Sequence, residues 1–127
     1  MTAPVVLVAE DDPDILDLVE LRLRQEGYDV ITARDGQEAL RLAGERRPAL
    51  ALLDVQMPRV NGYDVTRRLR ADAATRGMVI LILTASVRDT ELARAFEAGA
   101  DDFLRKPFSP SELAARVRAA LESEARL

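Results

Sequence analysis

The feature that most constrains this chain is an alternation along its length. Short, continuous apolar runs trade places with longer segments whose apolar residues recur every three or four positions. Val5-Val6-Leu7-Val8-Ala9, Ala49 to Leu53 and Met78 to Leu83 belong to the first kind. Runs this short and this uniformly apolar read as strands covered on both faces, because neither side of the pleat meets water. Tyr28 to Ala33 is a weaker strand, and Phe103-Leu104 is a short last one. Helical spacing joins Leu16, Val19 and Leu23, then Ala39, Leu40 and Ala43, then Val65 and Leu69. The same spacing puts Leu92, Ala95, Phe96 and Gly99 on one face of a fourth helix, and Leu113, Val117 and Leu121 on a fifth. Gly27 and Arg47-Pro48 punctuate the first two helices, and Met57-Pro58 with Asn61-Gly62 marks a loop. Ser109 before Pro110 reads as an N-cap followed by proline in a first turn.

Five strands alternating with five helices imply an α/β protein: an open, mostly parallel sheet with helices on both faces and right-handed crossovers. The length of 127 residues suits one domain spanning 1–127, given roughly 100–200 residues per domain. No repeat, low-complexity segment or linker interrupts it. The chain has no cysteine and no histidine, which excludes a disulfide frame, a zinc site, a thiol nucleophile and a histidine-based triad. A net charge of −4 argues against broad nucleic-acid binding or an anionic membrane surface. No apolar run reaches the ~20 residues that a bilayer requires, so a soluble cytoplasmic protein is expected. Any chemistry falls to carboxylates, hydroxyls, arginine and one lysine: of the 18 cations, 17 are arginine and Lys106 stands alone.

Ligands of such sheets bind beyond the carboxyl ends of the strands, where the strand order reverses. Glu10, Asp11 and Asp12 follow the first strand, Asp54 ends the third, Thr84-Ala85-Ser86 ends the fourth, and Lys106 follows the fifth. Each has an ordinary explanation on its own: Asp12 as a helix cap, Thr84 as a β-branched strand residue, Phe103 as core. Four strand ends carrying capable groups on one edge is the informative coincidence. Two like charges ~4 Å apart at an effective dielectric of ~20 repel by about 4 kcal/mol. A hard divalent cation with oxygen ligands removes that cost, and so few protein ligands favour Mg²⁺ over Ca²⁺. A lysine kept amid arginines points to work for a compact ammonium on a flexible stem.

In order along the chain, Leu7-Val8-Ala9-Glu10-Asp11-Asp12-Pro13, Leu53-Asp54-Val55-Gln56-Met57-Pro58 with Gly62, Thr84-Ala85, Gly99-Ala100 and Lys106-Pro107-Phe108 resemble the receiver domain of two-component response regulators. The resemblance implies a flavodoxin-like (βα)5 fold with strand order 2-1-3-4-5. It implies Asp54 as phosphoryl acceptor, with Mg²⁺ held by Asp11, Asp54 and the Gln56 backbone carbonyl, and by Glu10 through water. Thr84 and Lys106 would contact the phosphoryl group, and Lys106-Pro107 would be cis. Asn61 stands where an acid is frequent, and the aromatic switch position is Phe103 rather than tyrosine.

The implied partner is a sensor histidine kinase or phosphotransfer protein, and a chain without histidine can only be the acceptor. Such a domain is not a conventional enzyme, although it catalyses its own phosphorylation and dephosphorylation. Gln56 and Ser86 would tune the acyl phosphate's lifetime. Output would run through the face of the fourth helix, fifth strand and fifth helix. That face resembles the one through which receivers of winged-helix response regulators dimerise, with Asp102, Glu112 and Arg116 at the matching positions. No direct nucleic-acid or membrane contact is expected. Three alternatives are a docking receiver independent of phosphorylation, a Mg²⁺-dependent aspartyl phosphatase and an FMN-binding flavodoxin. The phosphatase would need an acid where Gln56 stands, and the flavodoxin a Gly/Ser/Thr loop where the three acids stand.

Overall fold

Each apolar run pairs with another run, and the computed structural model, which describes residues 3–86 and 88–125, shows how. Met1 and Leu127, the bounds of the expected domain, lie outside the described residues. The strands are β1 (Val5–Ala9), β2 (Asp29–Ala33), β3 (Leu50–Asp54), β4 (Val79–Thr84) and β5 (Asp102–Arg105). They form one sheet in the order β2-β1-β3-β4-β5, with every neighbouring pair parallel. Five helices return the chain after each strand: α1 (Pro13–Gln25), α2 (Gly36–Arg46), α3 (Gly62–Ala71), α4 (Asp89–Ala98) and α5 (Pro110–Ala125). Because all strands run the same way, their carboxyl ends share one edge. The order reverses between β1 and β3, which opens the crevice there.

The sheet has a core on each face. Val6, Val8, Leu50, Leu52, Leu81 and Leu83 pack against Leu16, Val19 and Leu23 of α1 and Leu113 and Val117 of α5. The opposite pleat positions, Leu7, Ala9, Leu53, Ile80 and Ile82, meet Ala39 and Ala43 of α2, Val65 and Leu69 of α3, and Ala95 and Ala98 of α4. Among the described residues no helix is long and apolar enough to cross a membrane.

Local chemistry sets the ends. The Asp12 side chain accepts from the Asp14 and Ile15 amides and caps α1, while Ser109 Oγ accepts from the Glu112 amide at the start of α5. Gly27 sits at φ 95° just past α1, and Arg47 adopts a left-handed φ of 44° to end α2. Strand bounds differ slightly from the apolar runs, since hydrogen bonding rather than hydropathy decides them. Asp54 and Thr84, one residue past the apolar runs, are the last residues of their strands, in keeping with their reading as strand ends.

One expectation is corrected. Phe96 does not share the buried face of α4 but is 48% exposed. That helix buries small residues, Ala95 and Ala98, and Gly99 leaves it as a left-handed cap at φ 111°. The ring is left on the shoulder, edge-on to Phe103 with centroids 6.3 Å apart.

Two glycines hold the loop between β3 and α3 against its surroundings. A Cβ on Gly62 would stand 2.5 Å from the Asp54 carbonyl oxygen, and one on Gly36 would overlap the Val60 carbonyl. Gly44, in the exposed interior of α2, has open space around it. Gly36→Ala should therefore destabilise the fold by about 2 kcal/mol or more, as steric strain at a packed site does. Gly44→Ala should stabilise it by about 0.5–1 kcal/mol through helix propensity and unfolded-state entropy. Urea unfolding of the two variants checks the opposite signs.

Candidate functional site

At the carboxyl edge the main chain delivers acids into a confined corner. The Glu10 amide extends the ladder by donating to Ala33 O at 3.0 Å, and its side chain is fully buried. One of its carboxylate oxygens accepts from the Asp11 amide at 3.0 Å. Asp54, the last residue of β3, is 4% exposed, and its Oδ1 accepts from the Gln56 amide at 3.4 Å. Lys106 comes from the far side of the sheet, its amide donating to Thr84 O at 2.8 Å. Its ammonium lies 2.7 Å from Glu10 Oε1 and 3.1 Å from Asp54 Oδ1. The Lys106–Pro107 peptide is cis.

The strand ends surround an open cleft of about 940 Å3, lined among others by Asp11, Asp12, Asp54, Gln56, Thr84, Ser86 and Lys106. The Thr84 hydroxyl is turned to its own loop, donating to Ser86 O at 3.0 Å and accepting from the Ser86 amide at 3.1 Å.

Burial raises the Glu10 carboxyl from 4.5 to about 8, and a hydrogen bond with Asp54 adds to this while Lys106 works against it. Burial pulls the Lys106 ammonium down, but its hydrogen bond to Glu10 and the charge of Asp54 more than offset this and leave it raised. One ammonium thus faces two carboxyl groups, and burial favours the neutral form of Glu10. Glu10, Asp11 and Asp54 each offer a carboxylate oxygen within 4.8 Å of the others. Three acids in one corner, two of them buried, with an all-oxygen donor set, fit a hard divalent cation.

The response regulator receiver domain family matches residues 6–118. The chain belongs to this family. Among its relatives is the DNA-binding response regulator MtrA of Mycolicibacterium smegmatis, 46% identical over 116 residues, which are 91% of this chain and 50% of that protein. The chain spans about half the length of the curated relatives it matches. A solved structure of a response regulator from Chloroflexus aurantiacus superposes with a TM-score of 0.90 at 37% identity, covering 95% of this chain and 99% of that one. The receiver domain of a sensor histidine kinase from Pseudomonas aeruginosa reaches 0.88 at 32% identity, covering 95% of this chain and 99% of its own. That structure has a magnesium ion coordinated in its active-site cleft. The relatives' names make them DNA-binding regulators, which lends no support to an absence of nucleic acid among the partners.

In this receiver Glu10, Asp11, Asp54, Gln56, Thr84, Ser86 and Lys106 meet at the cleft or directly beneath it, as their positions at strand ends anticipate. Phe103 is half-buried one residue along β5 from Leu104, with the Arg116 guanidinium 5.9 Å above its ring. Asp102 and Arg116 pair within the chain at 3.2 Å, and Glu112 is exposed on α5. Sequence reasoning missed three charged residues lining the cleft: Arg88, Glu91 and Arg105. Glu91 accepts from the Tyr63 hydroxyl at 2.8 Å and so ties the start of α4 to α3. Arg88 occupies the N-cap of α4 with a side chain that makes no cap hydrogen bond, a position that hydropathy spacing does not locate.

A raised pKa in the folded state means that the native protein binds the Glu10 proton more tightly than the unfolded chain does. The resulting stabilisation is complete below the unfolded value near 4.5 and is lost as pH rises through about 8. Glutamine cannot ionise and escapes this loss. With divalent metal removed by chelator, the thermal midpoint of the wild type minus that of Glu10→Gln should fall steadily from pH 5 to pH 9. A difference independent of pH would contradict the assignment.

Proposed function

We propose that this receiver is the phosphoacceptor switch of a two-component pathway, working in the cytoplasm with a sensor histidine kinase or phosphotransfer protein as donor. The observation that carries the reading is the placement of Asp54: buried at a strand end, open to the cleft on one side and held by Lys106 on the other. An Asp54 carboxylate oxygen attacks phosphorus, the P–N bond of a phosphohistidine breaks, and its electron pair leaves on the imidazole nitrogen. Water later attacks the same phosphorus, releasing inorganic phosphate and restoring the carboxylate. The domain thus catalyses changes on its own side chain rather than turning over a separate substrate.

Asp11, Asp54 and the Gln56 carbonyl would hold Mg²⁺, with Glu10 acting through water. When bound, the ion supplies positive charge to the phosphoryl oxygens and offsets the repulsion among the acids. Lys106 leaves its contact with Asp54 Oδ1 for a phosphoryl oxygen, keeping an ammonium in place without desolvating a second cation. The Thr84 hydroxyl turns from Ser86 toward the phosphoryl group. That movement gives the Phe103 ring room to turn inward, which repacks the face formed by α4, β5 and α5. Moving a two-state equilibrium from 1:99 to 99:1 requires about 5.5 kcal/mol of differential stabilisation, and the new charge-assisted contacts are its source. On this face the internal Asp102–Arg116 pair can exchange for contacts to a second copy, with Glu112 beside it. Gln56 and Ser86, neither of them acidic, flank the water's approach and set the lifetime.

Incubation with acetyl phosphate and Mg²⁺ should add one phosphoryl group by intact-mass spectrometry, and chelator or Asp54→Asn should abolish the gain. Lys106→Arg should slow it by about tenfold or more despite unchanged charge, as loss of a placed donor to a developing oxyanion does. No gain in the wild type would overturn the proposal. Sedimentation of the phosphorylated protein should show dimer, and monomer alone would remove the second-copy contact from the account.

A further inference from the structure

Arg88 breaks two local rules at once. Helix N-caps are normally Ser, Thr, Asp or Asn, whose oxygens accept from the free amides, and replacing such a cap costs typically about 1 kcal/mol. At Arg88 no side-chain cap bond forms. The N-terminus of a helix also carries partial positive charge, so a guanidinium there is placed against the dipole. Asp89 and Glu91 in the first turn offset part of that charge, but the Glu91 carboxylate is engaged by Tyr63. A position that is locally unfavourable on both counts is expected where function requires it.

The site of the breach is the cleft. Three cations line it: Arg88, Arg105 and Lys106. Lys106 is committed below, between Glu10 and Asp54. Among the described residues no carboxylate lies within 4 Å of the Arg88 or Arg105 guanidinium, a state they share with several surface arginines, and what sets these two apart is their place on the cleft. Arg105 is the register partner of Thr84, and the Arg88 amide donates to Ser86 Oγ at 3.3 Å. The two arginines therefore enter from β5 and α4, on the side of the cleft away from the acids of β1. An anionic donor approaching Asp54 meets Asp11, Asp12 and Asp54 with only these two cations uncommitted.

We propose that Arg88, assisted by Arg105, recruits anionic small-molecule phosphodonors of the acyl phosphate class and so sets the preference of the cleft for donors of higher charge. The inference rests on the phosphoacceptor reading of Asp54. It assigns the arginines to binding and steering, not to the transfer itself. Focused charge at a cleft raises association rates by about 10- to 1,000-fold, and the gain falls with ionic strength. Steering of this kind distinguishes donors by charge: acetyl phosphate is a dianion at neutral pH and phosphoramidate a monoanion.

The test compares bimolecular phosphorylation rate constants for both donors, at low and high salt and in saturating Mg²⁺, by quenched intact-mass spectrometry. Arg88→Gln with Arg105→Gln should lower the constant for acetyl phosphate about tenfold and that for phosphoramidate by only about threefold. The salt dependence should flatten, and Arg88→Lys should restore most of the loss, since steering needs charge rather than a fork. Equal losses with both donors, an unchanged salt dependence, or no loss at all in a variant that still melts as the wild type would overturn the inference. A wild type that reacts with neither donor would instead overturn the phosphoacceptor reading, so the two failures are separable.

Discussion

One ammonium shared between two buried carboxyl groups governs the functional edge of this receiver. Lys106 touches Glu10 and Asp54, and Asp11 stands within ligand distance of both. An ion pair this well enclosed is weak evidence for stability, because desolvation offsets much of the Coulomb attraction. Its effect is instead to hold a charged corner together in a form ready to accept more positive charge. Burial pushes the Glu10 carboxyl toward its neutral form, and the all-oxygen donor set of the corner fits a hard divalent cation. The parallel sheet exists, functionally, to deliver these groups: β1, β3, β4 and β5 each end at the cleft, and glycines at 36 and 62 let the intervening loop lie close to it.

Much of this was legible before any coordinates. Continuous apolar runs announced strands buried on both faces, and parallel pairing followed from the helices between them. Parallel pairing in turn placed Glu10, Asp54, Thr84 and Lys106 on one edge, so the site was an outcome of topology as much as of motif. The excess of arginine made the lone lysine visible as well. Hydropathy alone stops at Leu53 and Leu83, but Asp54 and Thr84 close their strands, as their reading as strand ends requires. Phe96 misled for a related reason: spacing locates a helical stripe but not its centre. Alanines at 95 and 98 move that centre away from the large ring. Arg88 drew no attention in the sequence because, among so many arginines, nothing marks it out until the start of α4 is placed at that residue.

The same geometry separates roles by depth. Beneath the cleft sit groups with few degrees of freedom, each held by main-chain or ionic partners. Around its mouth stand Arg88 and Arg105, exposed and without acid partners among the described residues. Farther from the acids lie Phe103, half-buried on β5, and the face of α4, β5 and α5, to which the proposed switch assigns the output. Thr84 stands between the layers, its hydroxyl satisfied by Ser86, and the proposed switch turns it toward the phosphoryl group.

The central claim is that the phosphoryl group resides on Asp54 and on no neighbouring acid. Reducing the phosphorylated protein with borohydride converts an aspartyl phosphate to homoserine, whose position peptide mass spectrometry can read. The account predicts homoserine at residue 54 and nowhere else in the acidic corner. Conversion at Asp11 or Asp12, or a phosphorylated protein with no reducible acyl phosphate, would contradict it.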